Sequence, residues 1–170
     1  MKHAITEDLL IKKVKDNFRH DIIETTVYKG EVTHLVDIKS LRAVCNFLKT
    51  DPDLRMNFLC DVLGVDYFRE TPRFEVVYHF YSIQRKHRIR VKVRVAENEA
   101  VPSVTHLWPG ADWPEREVYD MFGIVFEGHP NMKRIYLAHD WVGHPLRKDY
   151  PLRGYKDRYN PYGEEKPEEI

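Results

Sequence analysis

Cysteine is nearly absent from this chain. Cys45 and Cys60 are the only two in 170 residues, and no C-x-x-C occurs. Iron–sulfur clusters are usually held by four thiolates, so two isolated thiols do not form a ligand set. Without a secretion signal, both thiols are expected to be reduced and buried. Long apolar runs are also missing, and no window approaches the roughly 18 residues of a membrane-spanning helix. The first residues, MKHAITEDLLIKKVKDNF, have no apolar signal core and no small-residue cleavage site. Nor are they the Arg-rich, acid-poor stretch of a transit peptide, so the chain is expected to work in the compartment where it is made. Net charge is lacking as well: 27 Lys and Arg balance 27 Asp and Glu. That balance exerts no global pull toward nucleic acid or acidic lipid, and it suits a surface normally covered in a complex. Serine is scarce, and no G-x-S-x-G, P-loop or G-x-G-x-x-G is present. By its residue chemistry, the chain does not read as a self-sufficient catalyst.

What is present suits one compact domain with a tail, since 42% of the residues are hydrophobic. Thr6 can cap a first helix, on which Leu10, Ile11, Val14 and Phe18 recur at helical spacing. Asp21 to Tyr28 and Glu31 to Ile38 read as a hairpin around Lys29-Gly30. Ser40 opens a second helix with Leu41, Val44, Cys45 and Leu48 on one face, and Asp51-Pro52-Asp53 stops it. Phe58 to Val65 reads as a short buried strand. Arg73 to Tyr81 and Arg88 to Val95 form the clearest strand pair. The second of these alternates, with Ile89, Val91, Val93 and Val95 on one face and Arg88, Arg90, Lys92 and Arg94 on the other. Phe74, Val76, Tyr78 and Phe80 supply the matching apolar face. In the third helix, Asp112 is the expected N-cap, Pro114 lies in the first turn, Glu115 takes the capping-box position and Gly123 ends the helix. The fold class is therefore α+β, with a mainly antiparallel or mixed sheet, flanking helices and an extended, loop-rich C-terminal segment. The expected division is a scaffold over 1–111, a helix plus interface segment over 112–152, and a tail over 153–170 with a frayed acidic end.

Three kinds of chemistry deserve weighing. The basic strand Arg88 to Arg94 has the charge for an RNA-binding module, but it lacks the interleaved aromatics that stack on bases. His129, Asp140 and His144 offer ligands for a metal-dependent hydrolase. However, none of the His pairs has the H-x-x-x-H spacing, and each of the two histidines is locked between Gly and Pro. That context predicts a turn whose imidazole bonds to nearby backbone or acid. Glu115, Glu117 and Asp120 are acids on one short helix, where Glu115 fits a cap and Arg116 can pair with an acid.

The remaining signal is the stretch Glu115 to Tyr155, EREVYDMFGIVFEGHPNMKRIYLAHDWVGHPLRKDYPLRGY. It is dense in aromatics and arginine, the residues enriched at interface hot spots. The Pro-rich run from Trp141 to Tyr162 cannot form a sheet or helix core alone, and the density of Trp and Tyr argues against disorder. The spacing predicts an extended conformation for Asp140 to Leu152 against a partner. Arg147 and Lys148 would then pair with partner acids or with Asp149.

The motif E-R-E-x-x-D-M-F-G covers Glu115, Arg116, Glu117, Asp120 and Gly123. G-H-P followed by R-I covers His129, Pro130 and Arg134. D-W-x-G-H-P-L-R-K-D-Y-P-L covers Asp140, Trp141, Gly143, His144, Pro145, Leu146, Arg147, Lys148, Asp149, Tyr150 and Pro151. Together these closely resemble the 30-kilodalton subunit of respiratory complex I, the C-type subunit of the proton-pumping NADH:quinone oxidoreductase. The resemblance implies a non-catalytic structural subunit in the hydrophilic arm, peripheral on the cytoplasmic side of the bacterial inner membrane. It implies no cofactor, metal or catalytic residue in this chain, with FMN and iron–sulfur clusters carried by partners. The implied neighbours are the 49-kilodalton-type subunit, near the quinone site, and the cluster-bearing subunits B, I and G. Related subunits in membrane-bound hydrogenase, formate hydrogenlyase, and complexes oxidising ferredoxin or reduced coenzyme F420 are the alternative assignment.

Overall fold

A computed structural model describes residues 7–158 and 160–167. The expected Thr6 cap and the last residues of the acidic end lie outside them. The elements run α1 (Glu7–Phe18), β1 (Ile22–Tyr28), β2 (Glu31–Val36), α2 (Leu41–Thr50), β3 (Phe58–Asp66), β4 (Phe74–Ser82), β5 (His87–Val95), β6 (Val101–Pro102), α3 (Asp112–Phe122) and β7 (Phe126–Glu127). Five strands form one sheet in the order β1-β2-β5-β4-β3. All neighbours are antiparallel except β2 and β5, which pair in parallel from Val32 opposite Ile89. The sheet is mixed and the fold is α+β, as the element pattern indicates.

The alternation in β5 organises the core. Ile89, Val91, Val93 and Val95 are buried, and they face Phe80, Tyr78, Val76 and Phe74 across the β4–β5 ladder. Helix α2 lays Leu41, Val44, Cys45 and Leu48 into the same core, and α1 adds Leu10 and Val14. Ser40 stands at the N-cap position of α2, as expected, but its side chain makes no cap bond. Its hydroxyl bonds Asp21, because the short 3-10 turn Ile38–Ser40 runs straight into the helix. Asp51 ends α2 as expected, accepting the Asp53 and Leu54 N–H groups and the Lys13 ammonium.

Two expectations change. Strand β3 is not buried but is the outer strand of the sheet, with Phe58 and Leu63 exposed. A short apolar run alone cannot distinguish an edge from an interior strand. Cys60, on that edge, is exposed, and only Cys45 is buried.

Most of the basic face of β5 is paired within the chain. Arg90 pairs with Glu31 at 2.9 Å, Lys92 with Glu75 at 2.9 Å, and Arg94 with Glu70 at 3.0 Å and Glu75 at 3.2 Å. Arg88 lies over the Tyr81 ring. Three of the four basic residues are thus paired with acids of this chain, while Arg88 stays exposed.

Helix α3 crosses β3 on the core side, and Gly64 makes the crossing possible. A methyl group there would lie 2.6 Å from Phe122 Cδ2. Gly64→Ala should therefore destabilise the chain by about 1–3 kcal/mol through overpacking. Denaturant unfolding checks this, and an unchanged midpoint would refute close packing at the crossing.

Candidate functional site

The signature residues converge on α3 and the irregular segment that follows it. A 3-10 turn, Pro109–Ala111, leads directly into α3, so Asp112 is the first helical residue and not the N-cap. The residue before it, Ala111, makes no side-chain cap. Glu115 does not close a capping box either. It is fully buried and reaches across to the loop after β6, where it accepts from Val104 N–H at 2.9 Å and Ser103 Oγ at 2.7 Å. Desolvation pushes its carboxyl up from 4.5 to about 7, and the two hydrogen bonds offset part of that rise.

Asp120 is the hub of the segment. It is fully buried. One carboxylate oxygen takes the Arg134 guanidinium at 2.7 Å; the other takes three successive backbone N–H groups, those of Ile135, Tyr136 and Leu137, at 3.0, 2.8 and 3.1 Å. Burial alone would raise its pKa, but these donors prevail and hold it below the usual carboxylate range. Arg134 then reaches onward to the carbonyls of Trp141 and Gly143. A single ion pair therefore ties two loops to the helix.

The second Gly-His-Pro completes the end of α3. A helix leaves its last four carbonyls without intrahelical donors. Here Gly123 N–H takes the Tyr119 carbonyl, His144 Nδ1–H the Asp120 carbonyl at 2.9 Å, Leu146 N–H the Met121 carbonyl at 3.1 Å, and Arg147 Nε–H the Phe122 carbonyl at 2.6 Å. Gly123 is required twice over. Its φ is +77°, and a Cβ there would lie 2.7 Å from both His144 and Arg147.

The first Gly-His-Pro serves the other end of the helix. His129 Nδ1 accepts from Asn131 N–H at 3.0 Å, so Nε2 carries the proton and faces the Asp112 carbonyl at 3.2 Å. Both histidines thus bond to backbone, as their Gly-His-Pro context predicts. They are fixed at opposite ends of α3, whose eight intervening steps span about 12 Å. Asp140 is exposed. Among the described residues, no three His, Cys, Asp or Glu side chains are placed to share a metal ion.

The run from Asp140 to Leu152 is not extended as expected. It folds as successive turns against its own domain. Asp149 makes a bidentate pair with Arg73 at 3.0 and 2.7 Å, and Arg73 is also held by Asp66 at 2.9 Å. Lys148 N–H donates to Asp66 at 2.8 Å, and Arg147 reaches Glu97 at 3.0 Å. Arg147 and Asp149 therefore each have a partner within the chain, Glu97 and Arg73. Trp141, Gly143, Pro145, Tyr150 and Pro151 are half-buried, while Pro130, Leu146 and Lys148 are exposed. Arg116 donates to the Lys133 carbonyl at 2.9 Å, and Glu117 is exposed on α3.

Sequence reading missed Ser103, Asp66, Arg73 and Glu97. Their partners in the signature lie 12 to 82 residues away, and no local spacing marks them. A concavity of about 450 Å³ on the open sheet face is lined by Cys60, Asp61, His79, Arg88 and Arg90, among others. Desolvation raises the Cys60 thiol, which leaves it a poor nucleophile.

No helix among the described residues is long and apolar enough to cross a membrane. Residues 34–156 match the family model described as respiratory-chain NADH dehydrogenase, 30 kDa subunit. The chain is 55% identical over 123 residues to the second C-type subunit of the NADH-quinone oxidoreductase of Rhizobium meliloti, covering 72% of this chain and 68% of that one. It is 52% identical over 145 residues to the C-type subunit of the same enzyme in Citrifermentans bemidjiense, covering 85% and 89%. In fold it is similar to a chain of the membrane-bound sulfane sulfur reductase, an archaeal respiratory membrane complex, with a TM-score of 0.72, 24% identity and 85% of each chain covered. The family match spans most of the sheet and all three signature motifs, and the chain belongs to the family of the respiratory-chain NADH dehydrogenase 30 kDa subunit.

Proposed function

We propose that this chain is a non-catalytic structural subunit of a proton-pumping NADH:quinone oxidoreductase. In this reading it sits in the hydrophilic arm on the cytoplasmic face of the bacterial membrane. It packs against the 49-kilodalton-type subunit near the quinone site, within reach of the cluster-bearing subunits B, I and G. FMN and the iron–sulfur clusters belong to those partners. The observation that carries the proposal is the continuous similarity over residues 34–156 to subunits of that enzyme. The geometry supports it. Asp120, Arg134, His144 and Arg147 of the signature are bonded to one another or to backbone.

The test is removal of the chain from its host, followed by assay of the membranes. Expected results are loss of NADH:quinone reductase activity, loss of the assembled complex on native gels, and recovery of both when the chain is restored. Affinity purification of the tagged chain should bring down the 49-kilodalton-type subunit. Recovery of the chain without that subunit, or full reductase activity in its absence, would overturn the proposal. Oxidation of an electron donor other than NADH by the purified complex would favour the related hydrogenase-type assemblies.

A further inference from the structure

One exposed face of α3 is not used by the contacts described so far. Trp113 is 63% exposed and Tyr136 is 67% exposed. Glu117 lies one turn after Trp113 on the same face of the helix. The Tyr136 hydroxyl donates to Glu117 Oε2 at 3.2 Å, and Oε1 takes no hydrogen bond from the described residues. The face is therefore a carboxylate with one open oxygen, flanked by two large exposed aromatic side chains.

These groups are held in place. The Arg116 guanidinium stacks 4.9 Å from the centre of the Trp113 ring, and is itself fixed to the Lys133 carbonyl. The backbone of Tyr136 is anchored by its N–H bond to buried Asp120. Exposed aromatics that are already ordered lose little freedom on binding, which is the character of an interface anchor.

The chemistry of the face selects its occupant. A planar guanidinium can stack on aromatic rings while pairing with a carboxylate. An ammonium can sit over a ring but lacks the planar fork that stacks and pairs at once, and an acidic group meets repulsion from Glu117. We propose that Trp113, Glu117 and Tyr136 form a seat for an arginine side chain of the 49-kilodalton-type subunit. This inference rests on the assignment of that subunit as the neighbour.

The test uses the complex purified from host membranes, together with binding of the intact chain to the 49-kilodalton-type subunit. Trp113→Ala should weaken binding about 30-fold, the effect of losing an interface hot spot. Glu117→Gln, which keeps size and shape, should weaken it about tenfold. Glu117→Arg should abolish assembly, and an arginine-to-glutamate change in the partner should restore it. The thermal midpoints of the isolated variants should stay within a degree or two of the parent, because these side chains are exposed. If the parent chain fails to bind the 49-kilodalton-type subunit, the functional proposal itself falls. If the parent binds, and Glu117→Gln and Glu117→Arg bind equally tightly, the arginine seat alone falls.

Discussion

Replacing Asp120 with alanine should lower the unfolding free energy by about 3–5 kcal/mol, the usual result of removing one member of a buried ion pair. The loss is large because Asp120 serves four donors at once. Without it, the half-buried Arg134 guanidinium loses its charge partner, and three consecutive N–H groups lose their acceptor. Asp120→Asn keeps the shape but places an amide among donors, so it should fall between alanine and the parent. Denaturant unfolding measures both variants, and limited proteolysis locates the damage. Cleavage should appear first between residues 133 and 152, since Arg134 carries the constraint on to the carbonyls of Trp141 and Gly143. A loss below about 1 kcal/mol, with no new cleavage there, would mean that the loops are held by something else.

The second large effect concerns pH. Glu115 titrates at about 7 in the folded chain, against 4.5 for an ordinary glutamate. Its raised value means that its contribution is fully present below about pH 4.5 and is lost as pH rises toward 7. At 1.36 kcal/mol per pH unit, that interval amounts to about 3 kcal/mol. Glu115→Gln should flatten the stability profile between pH 5 and 8 and make the variant more stable than the parent at pH 8. The groups around it are Ser103, Asp112, Arg42, Tyr78 and Cys45. The opposite sign governs Asp66, Asp120 and Asp149, which are held below the ordinary carboxylate value. Their stabilisation is lost as pH falls below about 4. The isolated chain should therefore be most stable in mildly acid solution. A Glu115→Gln profile that parallels the parent would show that Glu115 is not the titrating group.

How legible all this was in the sequence depends on how local each cause is. The β5 alternation was readable because burial on one face of a strand repeats every second residue, and the matching apolar set on β4 followed from it. The apolar stripe of α2 was readable for the same kind of reason. Strand β3 was misplaced because its apolar run arises from packing under α3, a long-range fact. Glu115 looked like a cap because a helix-starting acid and a buried acid have the same local spacing. What separates them is the approach of Ser103 and Val104 from another part of the fold. The signature histidines were read correctly as turn residues, although the carbonyls they serve could not be named. The segment from Asp140 to Leu152 was read as extended, since Arg73 and Asp66 lie 76 and 82 residues from the groups they bind.

The parallel pairing of β2 with β5 has a consequence for synthesis. The β1–β2 hairpin and the β3–β4–β5 meander are each assembled from near neighbours along the chain. The seam between them joins Val32 to Ile89. On the ribosome, the hairpin must emerge and wait, with one edge unsatisfied, until β5 has left the exit tunnel. At about 5–20 residues per second, that delay lasts some seconds. During this window the nascent chain is most open to capture by a chaperone or to mispairing with a neighbouring copy.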